Sequence, residues 1–147
     1  MTLKQVPTIV LGDIAFARSG DKGNHANIGV AAYSPVGYEF LLRELTSSRI
    51  AEYFQGLGLT HVERFELPNI ESLNFVLYDA LGGGASRSLR IDTQGKLLGT
   101  ALMNLELTEP LDIKRMYGGP MHTSEQFERW EKGILYDVDL PDEDKLK

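Results

Sequence analysis

Arg18, Ser19, Asp21, Lys22, Asn24, His25 and Asn27 fall within one ten-residue stretch, with Gly20 and Gly23 between them. Arginine grips carboxylate or phosphate through a planar fork, and lysine supplies a point charge, so Arg18 and Lys22 suit an anionic substrate group. Glycines let backbone N–H groups approach such a group. His25 is the only histidine of the stretch, and an imidazole moves protons near neutral pH. With Asp21 and Lys22 beside it, His25 forms the candidate catalytic set. Arg18, Ser19, Asn24 and Asn27 form the candidate binding set, the carboxamides orienting substrate or stabilising a developing oxyanion. The alternative is structural: Asp21 pairs with Arg18 or Lys22 to stiffen a turn, and His25 hydrogen-bonds backbone.

Gly82-Gly83-Gly84-Ala85-Ser86-Arg87-Ser88 is the second stretch of interest. Three successive glycines cost backbone entropy on ordering, which is useful where a ligand must lie against backbone. Gly82, Gly83, Gly84, Ser86 and Arg87 are therefore further substrate-binding candidates, with a plain connector as the alternative. Several chemistries are excluded. The first stretch lacks the glycine spacing and terminal Lys-Ser/Thr of a nucleotide-binding loop, and no serine lies in a Gly-x-Ser-x-Gly elbow. The chain has no cysteine, hence no thiolate nucleophile or disulfide. His25, His61 and His122 show no metal-ligand spacing, so no metal is expected. Without a redox centre or covalent nucleophile, hydration, dehydration or isomerisation suits the groups present.

The elements that position these residues are read from hydrophobic pattern. Residues 9–17 and 28–33 read as buried strands, with 18–27 as the loop between them. Ser34-Pro35-Val36-Gly37 ends the second. Residues 38–56 repeat apolar side chains at helical spacing; Thr46-Ser47-Ser48 offers a break and a cap for a second helix, and Gly56 and Gly58 end it. Val62–Leu67 alternates like a half-exposed strand, ended by Pro68. Asn69 caps an expected helix over 70–81, for which a strand through Asn74–Tyr78 is the rival. Residues 86–92 and 97–107 read as a hairpin, with Asp92 opening the turn and Gly95 taking its unusual dihedral. Beyond Thr108 an arm with a short helix, Ser124–Lys132, is expected. The fold class is α+β: a mainly antiparallel sheet of about five strands with two main helices on one face.

At 147 residues, with 42% hydrophobic and 24% charged residues, the chain suits one core-forming unit, residues 1–108, followed by the arm, 109–147. A net charge of −6 argues against a nucleic-acid partner. The N-terminus has no signal-peptide core and no apolar run spans a bilayer, so a cytoplasmic protein with no membrane partner is expected.

The segment Ala17–Val30 resembles the signature of the AtuA-type acyclic terpene utilisation proteins, in their C-terminal domain. Val62–Asn69, Leu73–Leu77, Ala80–Gly84, Ser88–Asp92 and Gln94–Lys96 fit the same family. The resemblance covers roughly residues 12–107. It implies a ferredoxin-like fold and a place in acyclic terpenoid or branched acyl-CoA breakdown. Longer members carry a large N-terminal region ahead of this domain, so a separate subunit of that kind is an expected partner, together with a small carboxylate or acyl-CoA and a homo-oligomer. No resident cofactor is expected; coenzyme A enters as part of the substrate. The expected activity is a component of a lyase or hydratase-type enzyme. The alternatives are a non-catalytic partner subunit and a small-ligand-binding module.

Overall fold

The computed structural model describes residues 8–108 and 113–116. The expected helix at Ser124–Lys132, and most of the arm that carries it, lie outside the described residues. An antiparallel four-stranded sheet carries the fold, built from β2 (Ala15–Lys22), β3 (His25–Ala32), β4 (Val62–Leu67) and β5 (Ser72–Leu77) in the order β2-β3-β5-β4. A second, two-stranded sheet pairs β1 (Thr8–Val10) with β6 (Glu106–Thr108). The helices are α1 (Pro35–Glu44), α2 (Ser47–Tyr53), α3 (Leu98–Leu102) and a single turn, α4 (Ile113–Met116).

The sheet has two unlike faces because side chains alternate along each strand. Ala15 and Ala17 of β2, Ala26, Ile28 and Val30 of β3, and Leu73, Phe75 and Leu77 of β5 are buried on one face. There they meet Phe40 and Leu41 of α1 and Ile50 of α2, also buried. Each buried aliphatic or aromatic side chain contributes about 1.5–3 kcal/mol, which places most of the fold's stability on this side. The other face carries Phe16, Phe65 and Leu67 at 47%, 43% and 42% exposure. The α+β class, the antiparallel pairing and the helices on one face agree with the sequence reading.

Two helix starts follow their caps. The Ser34 hydroxyl accepts from the Gly37 amide at 3.0 Å, with Pro35 opening the helix, so α1 begins earlier than its apolar spacing suggests. The Thr46 hydroxyl accepts from the Arg49 amide at 3.2 Å and starts α2, the break expected at 46–48. Gly58, at φ +71°, closes the short 3-10 turn Gln55–Leu57 that follows. Arg64 of β4 donates to the carbonyls of Leu42 at 2.9 Å and Leu45 at 3.2 Å, covering the carboxyl end of α1.

Three expectations are corrected. The strand expected over residues 9–17 is two, β1 and β2, separated by a 3-10 turn, Leu11–Asp13. The helix expected over 70–81 is β5: the rival strand reading was right, because Leu73, Phe75 and Leu77 alternate into the core between β3 and β4. Asn69 caps no helix and lies in the 3-10 turn Pro68–Ile70 of a hairpin, which Glu71 completes at φ +50°. The hairpin expected over 86–107 does not form. Its first arm is a run of turns, and its second becomes α3 and β6, because β6 pairs with β1 at the far end of the chain. The turn chemistry within it is nevertheless present. Asp92 accepts from the amides of Lys96 and Leu97 at 2.8 and 3.1 Å, and Gly95 has φ +63°.

Candidate functional site

The stretch 18–27 is not a loop between strands. It is the outer half of the β2–β3 hairpin, closed by the two residues Gly23 and Asn24, with Gly23 at φ +70° as such tight turns favour. Alternation therefore sorts its polar residues. Arg18, Gly20, Lys22, His25 and Asn27 share the open face, while Ser19 and Asp21 fall on the covered side with Ile28 and Ala26 opposite them. For this reason Asp21 pairs with neither Arg18 nor Lys22, and the ion pair weighed from sequence is not formed. Arg18 and Lys22 are exposed and make no ion pair or side-chain hydrogen bond with a described residue.

Ser19 and Asn24 are held in place by the fold. The Ser19 hydroxyl donates to the Gly95 carbonyl at 2.5 Å and accepts from the Gly99 amide at 2.8 Å, latching α3 onto β2. The Asn24 Oδ1 accepts from the Gly83 amide at 2.6 Å, its Nδ2 donates to Asp79 Oδ1 at 3.0 Å, and its carbonyl accepts from the Leu81 amide at 3.1 Å. The two stretches singled out in sequence thus meet at the hairpin tip, through backbone contact. Gly82, Gly83 and Gly84 all have positive φ, and a Cβ on Gly84 would stand 2.7 Å from the Gly23 carbonyl oxygen. The glycine run lets the 79–84 turn lie against the hairpin. Ser86 and Arg87, which follow that turn, are exposed.

His25 is the best-defined polar group of the open face. The Asp79 amide donates to its Nδ1 at 2.9 Å. That donor requires a lone pair on Nδ1, so the neutral ring carries its proton on Nε2. Asp79 Oδ1 lies 3.7 Å from the same nitrogen, and the Tyr78 ring lies 4.9 Å away, tilted by 54°. Tyr78 in turn stacks on His61 at 4.1 Å. Its hydroxyl donates to Glu63 Oε2 at 2.9 Å; this bond, then burial and the Glu63 charge, raise the phenol above its usual 10.0. The structural alternative for His25 is therefore half fulfilled: Nδ1 is spent on backbone, while Nε2 stays available on a ring that remains partly exposed.

Asn27 and Asn74 pair across β3 and β5 at 3.2 Å, farther along the same face. Beside them Gly20 and Gly29 leave the sheet without side chains. The Lys96 ammonium reaches over the edge of β2 to that gap, 3.2 Å from where a Cβ on Gly20 would lie. Lys22 stands directly across from His25, and Arg18 lies four residues along the strand, about 13 Å away. The open face thus presents cations along its β2 edge and an N–H donor at one end. Among the described residues no three His, Asp or Glu gather as a metal-ligand set.

The match to known proteins falls on this frame. The family model of the AtuA ferredoxin-like domain matches residues 9–108, which include both sheets and every open-face residue named above. The chain belongs to this family. No curated protein and no solved structure matches it. The AtuA ferredoxin-like domain is thereby linked by name to acyclic terpene utilisation, and among its described residues no helix is long and apolar enough to cross a membrane.

Sequence reading passed over three residues of this domain. Asp79 adopts φ +59°, rare for a side-chain-bearing residue; its carboxylate accepts from Asn24 and Thr60 (2.9 Å), and its amide donates to His25. Aspartate tolerates that conformation better than most, and its place just before Gly82–Gly84 was the available signal. Lys96 read only as a turn residue. Asn74 was hidden inside the supposed helix.

Proposed function

We propose that the AtuA ferredoxin-like domain binds an anionic acyl substrate, a carboxylate or an acyl-CoA, on its open sheet face. It would serve there as a subunit or domain of an enzyme for hydration, dehydration or isomerisation in acyclic terpenoid or branched acyl breakdown. The observation that carries this reading is a pair of cations, Arg18 and Lys22, that have no ion-pair partner among the described residues, beside a histidine whose neutral ring carries its proton on Nε2. Arg18 and Lys96 hold the carboxylate or a phosphate of coenzyme A, and Gly20 and Gly29 make room for the chain at the sheet surface. His25 Nε2–H donates to the acyl carbonyl oxygen and stabilises charge developing there. This role differs from a general base: the Asp79 amide keeps Nδ1 occupied and places the proton where a substrate oxygen would take it. Asn27 orients the acyl group. Ser19, Asp21, Asn24 and the glycine run 82–84 support the frame without touching substrate, and Ser86 and Arg87 stand apart from it.

The test is calorimetric titration with branched, unsaturated acyl-CoA thioesters and the matching free acids, followed by turnover assays. Arg18→Ala is expected to weaken binding at least about tenfold, and His25→Ala to lower turnover with binding retained. Full turnover of His25→Ala on every substrate would end the catalytic role.

A second reading is a non-catalytic partner that completes a separate large subunit. It is favoured by Leu89 and Ile91, which flank Arg90 wholly exposed. Arg90 itself is anchored, donating to the carbonyls of Ala80 and Leu57 at 2.8 and 3.0 Å, so the two apolar side chains are displayed from a fixed point. Stable co-purification with a large AtuA-type subunit, with activity unchanged by Arg18→Ala and His25→Ala, would favour this reading.

A further inference from the structure

We infer that two copies of this chain dock through the open faces of their four-stranded sheets, about a twofold axis parallel to the strands. Across β2, β3, β5 and β4 the open face runs in rows: Lys22, His25, Tyr78, His61; then Gly20, Asn27, Val76, Glu63; then Arg18, Gly29, Asn74, Phe65; then Phe16, Ala31, Ser72, Leu67. One end of the face is polar and the other apolar. One edge, β2, carries Arg18, Lys22 and the overhanging Lys96; the other, β4, carries Glu63 and Phe65.

A twofold axis along the strands keeps each row level and exchanges the two edges. Phe16 of one copy then meets Leu67 of the other. Lys96, above the Gly20 row, meets Glu63, and Arg18 meets the face of Phe65, a favourable cation–π partner. A twofold axis across the strands would set cations on cations and the apolar end on the polar end. Complementarity selects the first. Two sheets packed face to face lie about 10 Å apart, and the bare backbone at Gly20 and Gly29 leaves space in that layer. The cations outnumber Glu63, so an anion enclosed between the sheets would be favoured. That last clause rests on the proposed function; the dimer itself does not.

Sedimentation velocity on the full chain without ligand tests the dimer. A concentration-dependent dimer is expected. Phe65→Lys, which sets two cations together, should weaken it at least about thirtyfold, as loss of a central aromatic anchor does. K96E should weaken it about tenfold, and adding E63K should restore most of the loss. Circular dichroism melts establish that the variants fold, and these positions are exposed enough to accept them. A wild-type chain that stays monomeric at all concentrations would overturn the inference, as would a dimer indifferent to Phe65→Lys and to the charge exchange. Acyl-CoA binding by a Phe65→Lys monomer at wild-type affinity would leave the proposed function standing and overturn the enclosed site.

Discussion

The hairpin tip and the middle of the open face contain similar residue types, yet they differ in what those residues are free to do. At the tip, Asn24, Asp79 and the amides of Leu81 and Gly83 satisfy one another, and Gly84 lies against the Gly23 carbonyl. Along the β2 edge of the open face, Arg18 and Lys22 have no described partner, and Lys96 leans over a bare glycine. Polar residues whose hydrogen bonds are all made stabilise a fold. Charges left on a sheet face beside uncovered backbone are available to a ligand or a partner. The tip holds the face in shape, and the proposed function puts recognition on the face.

The largest expected effect separates two glycines of the tip. Gly84→Ala brings both an unfavourable φ and a clash with backbone, and should destabilise by roughly 3 kcal/mol or more. Gly23→Ala meets no atom within 4 Å and should cost only the left-handed penalty, roughly 1–2 kcal/mol. Chemical denaturation of both variants checks this; equal losses would deny that close packing at the tip matters. Next, Asp79→Ala should cost about 1–3 kcal/mol, by stranding Asn24 and Thr60 and burdening a positive φ. It should also loosen the His25 ring, visible as a change in its NMR tautomer signature. Arg18→Ala, by contrast, should leave stability within about 0.5 kcal/mol while reducing acyl-anion binding.

The smallest effect is in the pH dependence. Tyr78 is raised by its bond to Glu63, and Tyr38 by burial, with Glu66 adding to the rise and Arg64 opposing it. In each case the folded state holds its proton to higher pH than the unfolded chain. Their contribution is therefore complete below pH 10 and is lost as pH climbs through the raised values. Glu63→Gln should bring the Tyr78 titration, followed by tyrosinate absorbance, back toward 10. An unmoved titration would deny the Tyr78–Glu63 bond.

Much of the fold was legible. Thr46, Gly58, Asp92 and Gly95 act locally, and each does in the structure what its chemistry suggests. The misread segments depend on distant partners. Leu73–Leu77 carries apolar residues that suit either a helix or a strand, and only pairing between β3 and β4 selects the strand. Glu106–Thr108 pairs with β1, nearly a hundred residues away, which no local pattern reveals. The site was half legible. The residue types at 18–27 marked the stretch that carries the candidate site, but reading it as a loop hid the alternation that separates Arg18, Lys22 and His25 from Ser19 and Asp21. Lys96 and Asp79 reach the site only through tertiary contact.

The proposed function makes the open face, and not the hairpin tip with its glycine run, the binding surface. An amide and side-chain NMR titration of the full chain with a branched acyl-CoA tests it most directly. Shifts are expected at Arg18, Gly20, Asn27 and Lys96 and at the Nε2–H of His25, with Gly82–Arg87 unmoved. Shifts confined to Gly82–Arg87, or an open face that does not respond at saturating ligand, would contradict it.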